Sequence, residues 1–202
     1  HKDAMVIFRK LSALGIPSTM GRQEKIFSSA EASDTLAFIN GLNSPHDKSK
    51  VKEALIGTYF DKNIDEIAEM ETGSTLNLWQ EKFREWRDSI SINGFIKTMH
   101  DALEFQDEIN KENFYLRSIK MPGGERKITN VLHVIELVHS SVRSQRGTAK
   151  DIYDKISALI TEENESDEYL IRLDSDSDTV KIMTIHAAKG LEFPIVFMAG
   201  GL

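Results

Sequence analysis

The chain contains no cysteine in 202 residues, which excludes disulfides and thiolate metal sites and fits a cytoplasmic protein. No apolar run approaches the ~20 residues that span a bilayer, so a membrane location is not expected. The first residues, His1-Lys-Asp-Ala-Met-Val, lack both an initiator Met and the apolar stretch of a signal peptide, and read as the start of an excised piece of a longer protein. There is no Gly-x-x-x-x-Gly-Lys-Ser/Thr loop to cradle a triphosphate. A basic excess is missing as well. The net charge is −7, whereas chains that bind nucleic acid mainly through phosphates are usually basic.

That charge is unevenly spread. Residues 161–178 hold eight acids against Arg172, a net of −7, so the remainder is neutral overall. Residues 120–150 carry six basic groups against Glu125 and Glu136, a net of +4. Hydrophobic content of 40% and charged content of 28% are ordinary for a globular chain able to bury a core. No internal repeat is visible.

Periodicity predicts helices through most of the chain. Met5, Phe8 and Leu11 share a helical face over 3–14, with Gly15 as the stop, and Ile16 to Met20 is extended around Pro17. Ser28 with Glu31 has the form of a capping box for a helix carrying Leu36, Ile39 and Leu42. Helices follow from Asp47 to Ile56, from Ile64 to Met70, and through Leu76, Trp79, Phe83, Trp86 and Ile90. Asn93 is expected to cap the next, with Phe95, Met99 and Leu103 on one side. After a short helix from Phe114 to Ile119, Pro122-Gly-Gly124 breaks the chain. The longest helix is expected from Glu125 to about Arg143, with an apolar stripe of Ile128, Val131, Leu132, Ile135 and Val138. Thr148 and Asp151 cap a last helix carrying Ile152, Ile156 and Leu159. Trp79, Phe83 and Trp86 sit at core spacing rather than as a base-stacking platform. Gly123-Gly-Glu-Arg-Lys127 reads as a turn and helix start, with a phosphate contact as the alternative. His133 and His139, six apart, share no helical face for a metal.

The C-terminal stretch has another character. Two apolar runs, Val180 to Ile185 and Phe193 to Met198, have the length and β-branched content of buried strands. The loop between them carries His186, Lys189, Gly190 and Glu192, and strand ends with polar loops are where α/β sheets present ligand sites. On residue types alone, this is either such a site or a buried strand-loop-strand with an incidental polar turn. The chain is thus α/β at both ends and helical between, as if a helical domain were inserted into an α/β domain.

Thr184-Ile-His186-Ala-Ala-Lys189-Gly190-Leu-Glu192-Phe-Pro194 resembles motif V of superfamily 1 helicases of the UvrD/Rep type. With Gly123-Gly-Glu-Arg-Lys-Ile-Thr129, Ile171-Arg-Leu-Asp-Ser175 and Leu14-Gly-Ile-Pro17, the resemblance narrows to RecB-like helicase-nucleases, the beta subunits of exodeoxyribonuclease V, in preference to AddA-like or plain UvrD/Rep helicases. It implies a mainly α fold class: a helical, 2B-like insertion domain at 26–175, flanked by two partial segments of a RecA-like α/β motor domain at 1–25 and 176–202. It further implies Thr184, His186 and Lys189 as DNA-binding residues, Lys189 ranking below the other two, and Gly190 and Glu192 as ATP-binding residues, with no catalytic or metal residue in this stretch. The parent enzyme would use ATP and Mg2+ and act on single- and double-stranded DNA with partner subunits of a RecBCD-like complex. The piece alone would hold no cofactor and be inactive. A different class stays open: a non-catalytic interaction module docking a partner subunit or duplex DNA.

Overall fold

The computed structural model describes residues 2–16, 18–20, 25–106, 111–142, 147–161, 169, 180–185, 188, 190 and 192–199. Contacts divide the chain into two units, residues 25–172 and, together, residues 1–24 and 173–202.

The 25–172 unit is all helical among its described residues: α2 (Ala30–Asn43), α3 (Lys48–Ile56), α4 (Ile64–Thr72), α5 (Thr75–Asn93), α6 (Phe95–Glu104), α7 (Phe114–Ile119), α8 (Gly124–Ser141) and α9 (Ala149–Thr161), preceded by a single 3₁₀ turn over Ile26–Ser28. Helix starts follow side chains that satisfy free backbone N–H groups. Asp47 accepts from Ser49 N–H at 3.0 Å. Asn63 and Glu66 form a reciprocal capping box at α4, and Asn113 accepts from Leu116 N–H at 2.9 Å. Two expected caps differ. The α2 cap is Ser29, which accepts from Ala32 N–H at 3.2 Å, because Ser28 is taken up in the 3₁₀ turn that buries Ile26 and Phe27. Asn93 is the last residue of α5 rather than a cap, its amide donating to Ser89 Oγ, and Gly94 at φ 89° opens α6 without a side-chain bond. The longest helix among the described residues is α5 at 19 residues, not α8 at 18.

α2 lies at the centre, packed on α3, α5, α8 and α9. Around it an aromatic cluster forms the core: Phe38 stacks on Tyr59 at 4.8 Å between centroids and meets Phe60, Phe83 and Trp86 edge-on. Trp79, Phe83 and Trp86 are all buried there, as their spacing predicts, so they offer no surface to a base. Val131, Val134, Ile135 and Val138 bury the inner face of α8, with Ile128 and Leu132 half-buried beside them. Several polar groups inside are paired with one another. Asp34 accepts from both the N–H and the hydroxyl of Thr58; Thr35 and Tyr59 share a hydrogen bond; Arg117 donates to the Tyr59 carbonyl. Burial pushes the Tyr59 hydroxyl well above the usual tyrosine range, so it stays neutral and is a structural donor or acceptor.

The other unit contains α1 (Lys2–Ala13), β1 (Ser18–Met20) and β2 (Val180–Ile182). The strands pair in parallel with Ser18 opposite Val180 and Met20 opposite Ile182, and α1 packs on β1. None of its described side chains is fully buried. The second expected strand does not form: residues 193–198 have no regular pairing, and Ile195, Val196, Phe197 and Met198 are 69–88% exposed. An apolar run becomes a strand only when a neighbour takes its N–H and C=O groups and a layer covers its face, and among the described residues β2 pairs with β1 alone.

Candidate nucleotide and nucleic-acid site

β2 carries the chain from the β1 pairing into the polar loop. Met183 is half-buried, and Thr184 and Ile185 are exposed. The loop then turns back on itself, the Thr184 carbonyl accepting from Ala188 N–H at 3.0 Å. Gly190 has φ +85°, and a Cβ placed there would meet nothing within 4 Å. The glycine is therefore required by backbone conformation rather than by crowding, and it leaves the peptide open to an incoming group. Glu192 follows, its carboxylate exposed. Phe193 is half-buried, with Lys181 Nζ 5.9 Å from its ring centroid, and the chain beyond it is exposed.

Of the five residues singled out from sequence, Thr184, Gly190 and Glu192 are thus placed along one solvent-facing loop. His186 and Lys189 lie outside the described residues, as do Ile171 to Ser175 and the acidic run from Glu162 to Glu168. An exposed carboxylate beside an open glycine peptide can accept from neutral hydroxyls and repels phosphate oxygens. Among the described residues no group of three or more His, Asp or Glu side chains converges as a metal site, and no helix is long and apolar enough to cross a membrane. The approach of Lys181 to Phe193 was not legible in the sequence, since a lysine inside an apolar strand pattern carries no signal of what its ammonium will meet.

The Gly123-Gly-Glu-Arg-Lys127 segment has a steric explanation. Gly123 adopts φ +74° as the N-cap of α8. A Cβ on Gly124 would come within 1.6 Å of the Ser118 carbonyl oxygen. The turn therefore needs its glycines to bring α8 against the end of α7.

One family model matches nearly the whole of this chain, the helical unit and both flanking strands included. The model of the UvrD-like helicase C-terminal domain covers residues 1–201, and the chain belongs to that family. Among curated proteins it is similar to the RecB subunit of the RecBCD enzyme from Mycobacterium tuberculosis, at 27% identity over 198 residues, 98% of this chain and 17% of the relative. The Escherichia coli RecB subunit is 24% identical over 205 residues, 98% of this chain and 16% of the relative. An ATP-dependent helicase/nuclease subunit from Bacillus velezensis is 31% identical over 124 residues, 59% of this chain and 10% of the relative. The chain thus spans no more than 17% of the length of these relatives.

Proposed function

We propose that the chain is part of an ATP-dependent DNA helicase-nuclease subunit that unwinds and processes double-strand DNA ends for recombinational repair within a RecBCD-like complex in the cytoplasm. Residues 1–25 and 176–202 would belong to its second, RecA-like motor domain, and residues 26–175 to the helical insertion of that domain. The observation that carries this reading is the family match over residues 1–201, with the parallel pairing of Ser18–Met20 with Val180–Ile182 on either side of the helical unit supporting the division. The polar loop then serves two ligands. Thr184, His186 and Lys189 would serve the single-stranded DNA backbone, because hydroxyl, imidazole and ammonium donors suit phosphate oxygens. Gly190 and Glu192 face ATP, which enters as its magnesium complex, with the open peptide at Gly190 and the Glu192 carboxylate accepting from the ribose hydroxyls.

The crossed pair of variants in the full-length enzyme tests this. Glu192→Ala should raise KM for ATP and spare nucleotide-free binding to single-stranded DNA. His186→Ala should weaken that DNA binding by about 1 kcal/mol for one lost hydrogen bond, and blunt DNA stimulation of the ATPase. Reversal of the two outcomes would overturn the assignment.

In a second reading the helical unit is a docking module for a partner subunit or duplex DNA, and one feature favours the partner subunit. Leu116, Ile119 and Met121 are 46%, 65% and 39% exposed together at the end of α7, beside the turn into α8. The two readings are compatible, because a motor domain can carry a binding module.

A further inference from the structure

We propose that Lys181 is a positioning residue for the Glu192 carboxylate, acting through the ring of Phe193. The inference rests on the reading of Glu192 as the nucleotide-facing group and adds a residue to that site. Lys181 is the middle residue of β2, opposite Thr19 in the parallel pair, and so belongs to the hydrogen-bonded part of the unit. Its side chain is exposed, it forms no ion pair among the described residues, and its ammonium lies 5.9 Å from the Phe193 centroid. A cation at that distance is attracted by the negative face of the ring, and among the described residues no carboxylate pairs with it.

The ring is where the returning loop is held. From Glu192 to Met198, Phe193 alone is half-buried; every other residue in that span is exposed. On the other side of Glu192, Gly190 has no neighbour that a Cβ would touch. Among the described residues next to it, the carboxylate thus has an open glycine two positions before it and a half-buried ring directly after it. What fixes Phe193 against β2 fixes where Glu192 can point, and a carboxylate held in place binds a hydroxyl pair more tightly than one that must be ordered at binding.

The test uses full-length enzyme and two equilibrium measurements: the Kd of a fluorescent, non-hydrolysable ATP analogue, and the Kd of a single-stranded oligonucleotide without nucleotide. Lys181→Met keeps the aliphatic stem and removes the charge; Phe193→Leu keeps bulk and removes the ring face. Each should raise the nucleotide Kd on the order of three-fold, the size of one exposed cation–ring contact. The double variant should be no weaker than either single one, Lys181→Arg should bind as the parent does, and the oligonucleotide Kd should not change. If Lys181→Met weakens nucleotide binding but Phe193→Leu does not, the ammonium meets the nucleotide directly and the positioning role is overturned. If Glu192→Ala weakens nucleotide binding while Lys181→Met has no effect, this inference alone fails. If Glu192→Ala itself leaves nucleotide affinity unchanged, the reading of the site falls and takes this inference with it.

Discussion

Gly123 and Gly124 answer two separate physical demands in one turn. Gly123 needs a left-handed backbone in open space, and Gly124 needs the absence of a Cβ beside the Ser118 carbonyl. Gly123→Ala should therefore cost about 1 kcal/mol of stability, the usual penalty for a side chain at positive φ. Gly124→Ala should cost more, about 2–3 kcal/mol, because backbone rather than a flexible side chain must move. Denaturant midpoints of the two variants give the order directly. Val131 makes a different demand. It is fully buried in α8, and Val131→Asp would place an unpaired carboxylate in the core, with an expected loss of at least about 3 kcal/mol. Unchanged thermal unfolding of that variant would show that the stripe is not core. Sequence spacing alone identified Val131 and the Trp79, Phe83 and Trp86 set as buried, because a 3.6-residue period leaves one face for the interior. It could not distinguish a phosphate-binding Gly-Gly turn from a steric one, since the deciding atom is a carbonyl on another helix.

Helix α9 shows what a single cap contributes. Asp151 accepts from the Thr148 hydroxyl at 2.7 Å and from the Thr148 N–H at 2.8 Å, and Asp151 N–H donates back to the Thr148 hydroxyl. The hydroxyl first, and then the backbone N–H, hold the Asp151 carboxyl below the usual aspartate range. A carboxylate favoured in the folded state stabilises above its unfolded pKa, near 4, and that contribution is lost as pH falls through the lower folded pKa. Acidification from about pH 5 should thus loosen the start of α9, and Asp151→Asn should remove that part of the acid sensitivity; amide exchange at residues 149–152 across pH reads it. At this scale Thr148, Asp47 and the Ile64 helix were legible, since a cap and its targets lie within one turn. Ser28 and Asn93 were misassigned for the complementary reason. Burial of Ile26 and Phe27 pulls Ser28 into a 3₁₀ turn, and Gly94 lets α6 follow α5 without an intervening cap.

All the fully buried apolar side chains among the described residues lie between Ile26 and Leu159. A chain of residues 25–172 should therefore fold by itself and melt cooperatively, because it contains the core that offsets the entropy of ordering its helices; a broad, non-cooperative transition would contradict this. The 202-residue chain should show no DNA-stimulated ATP turnover, since no Gly-x-x-x-x-Gly-Lys-Ser/Thr loop is present in it to hold the phosphates. Sustained turnover by rigorously purified chain would overturn that expectation. What the sequence by itself determined is local: where the helices run, which faces they bury, and which residue types line the Thr184 to Glu192 loop, all settled by contacts within a turn or two. Only the tertiary structure decided that Val180–Ile182 pairs with Ser18–Met20 while the equally apolar Phe193–Met198 run pairs with nothing among the described residues. Only it brought Lys181 over Phe193 and Gly124 against Ser118. Strand pairing and close approach depend on which distant backbone arrives to share a hydrogen bond or a surface, and no periodicity within one segment specifies that partner.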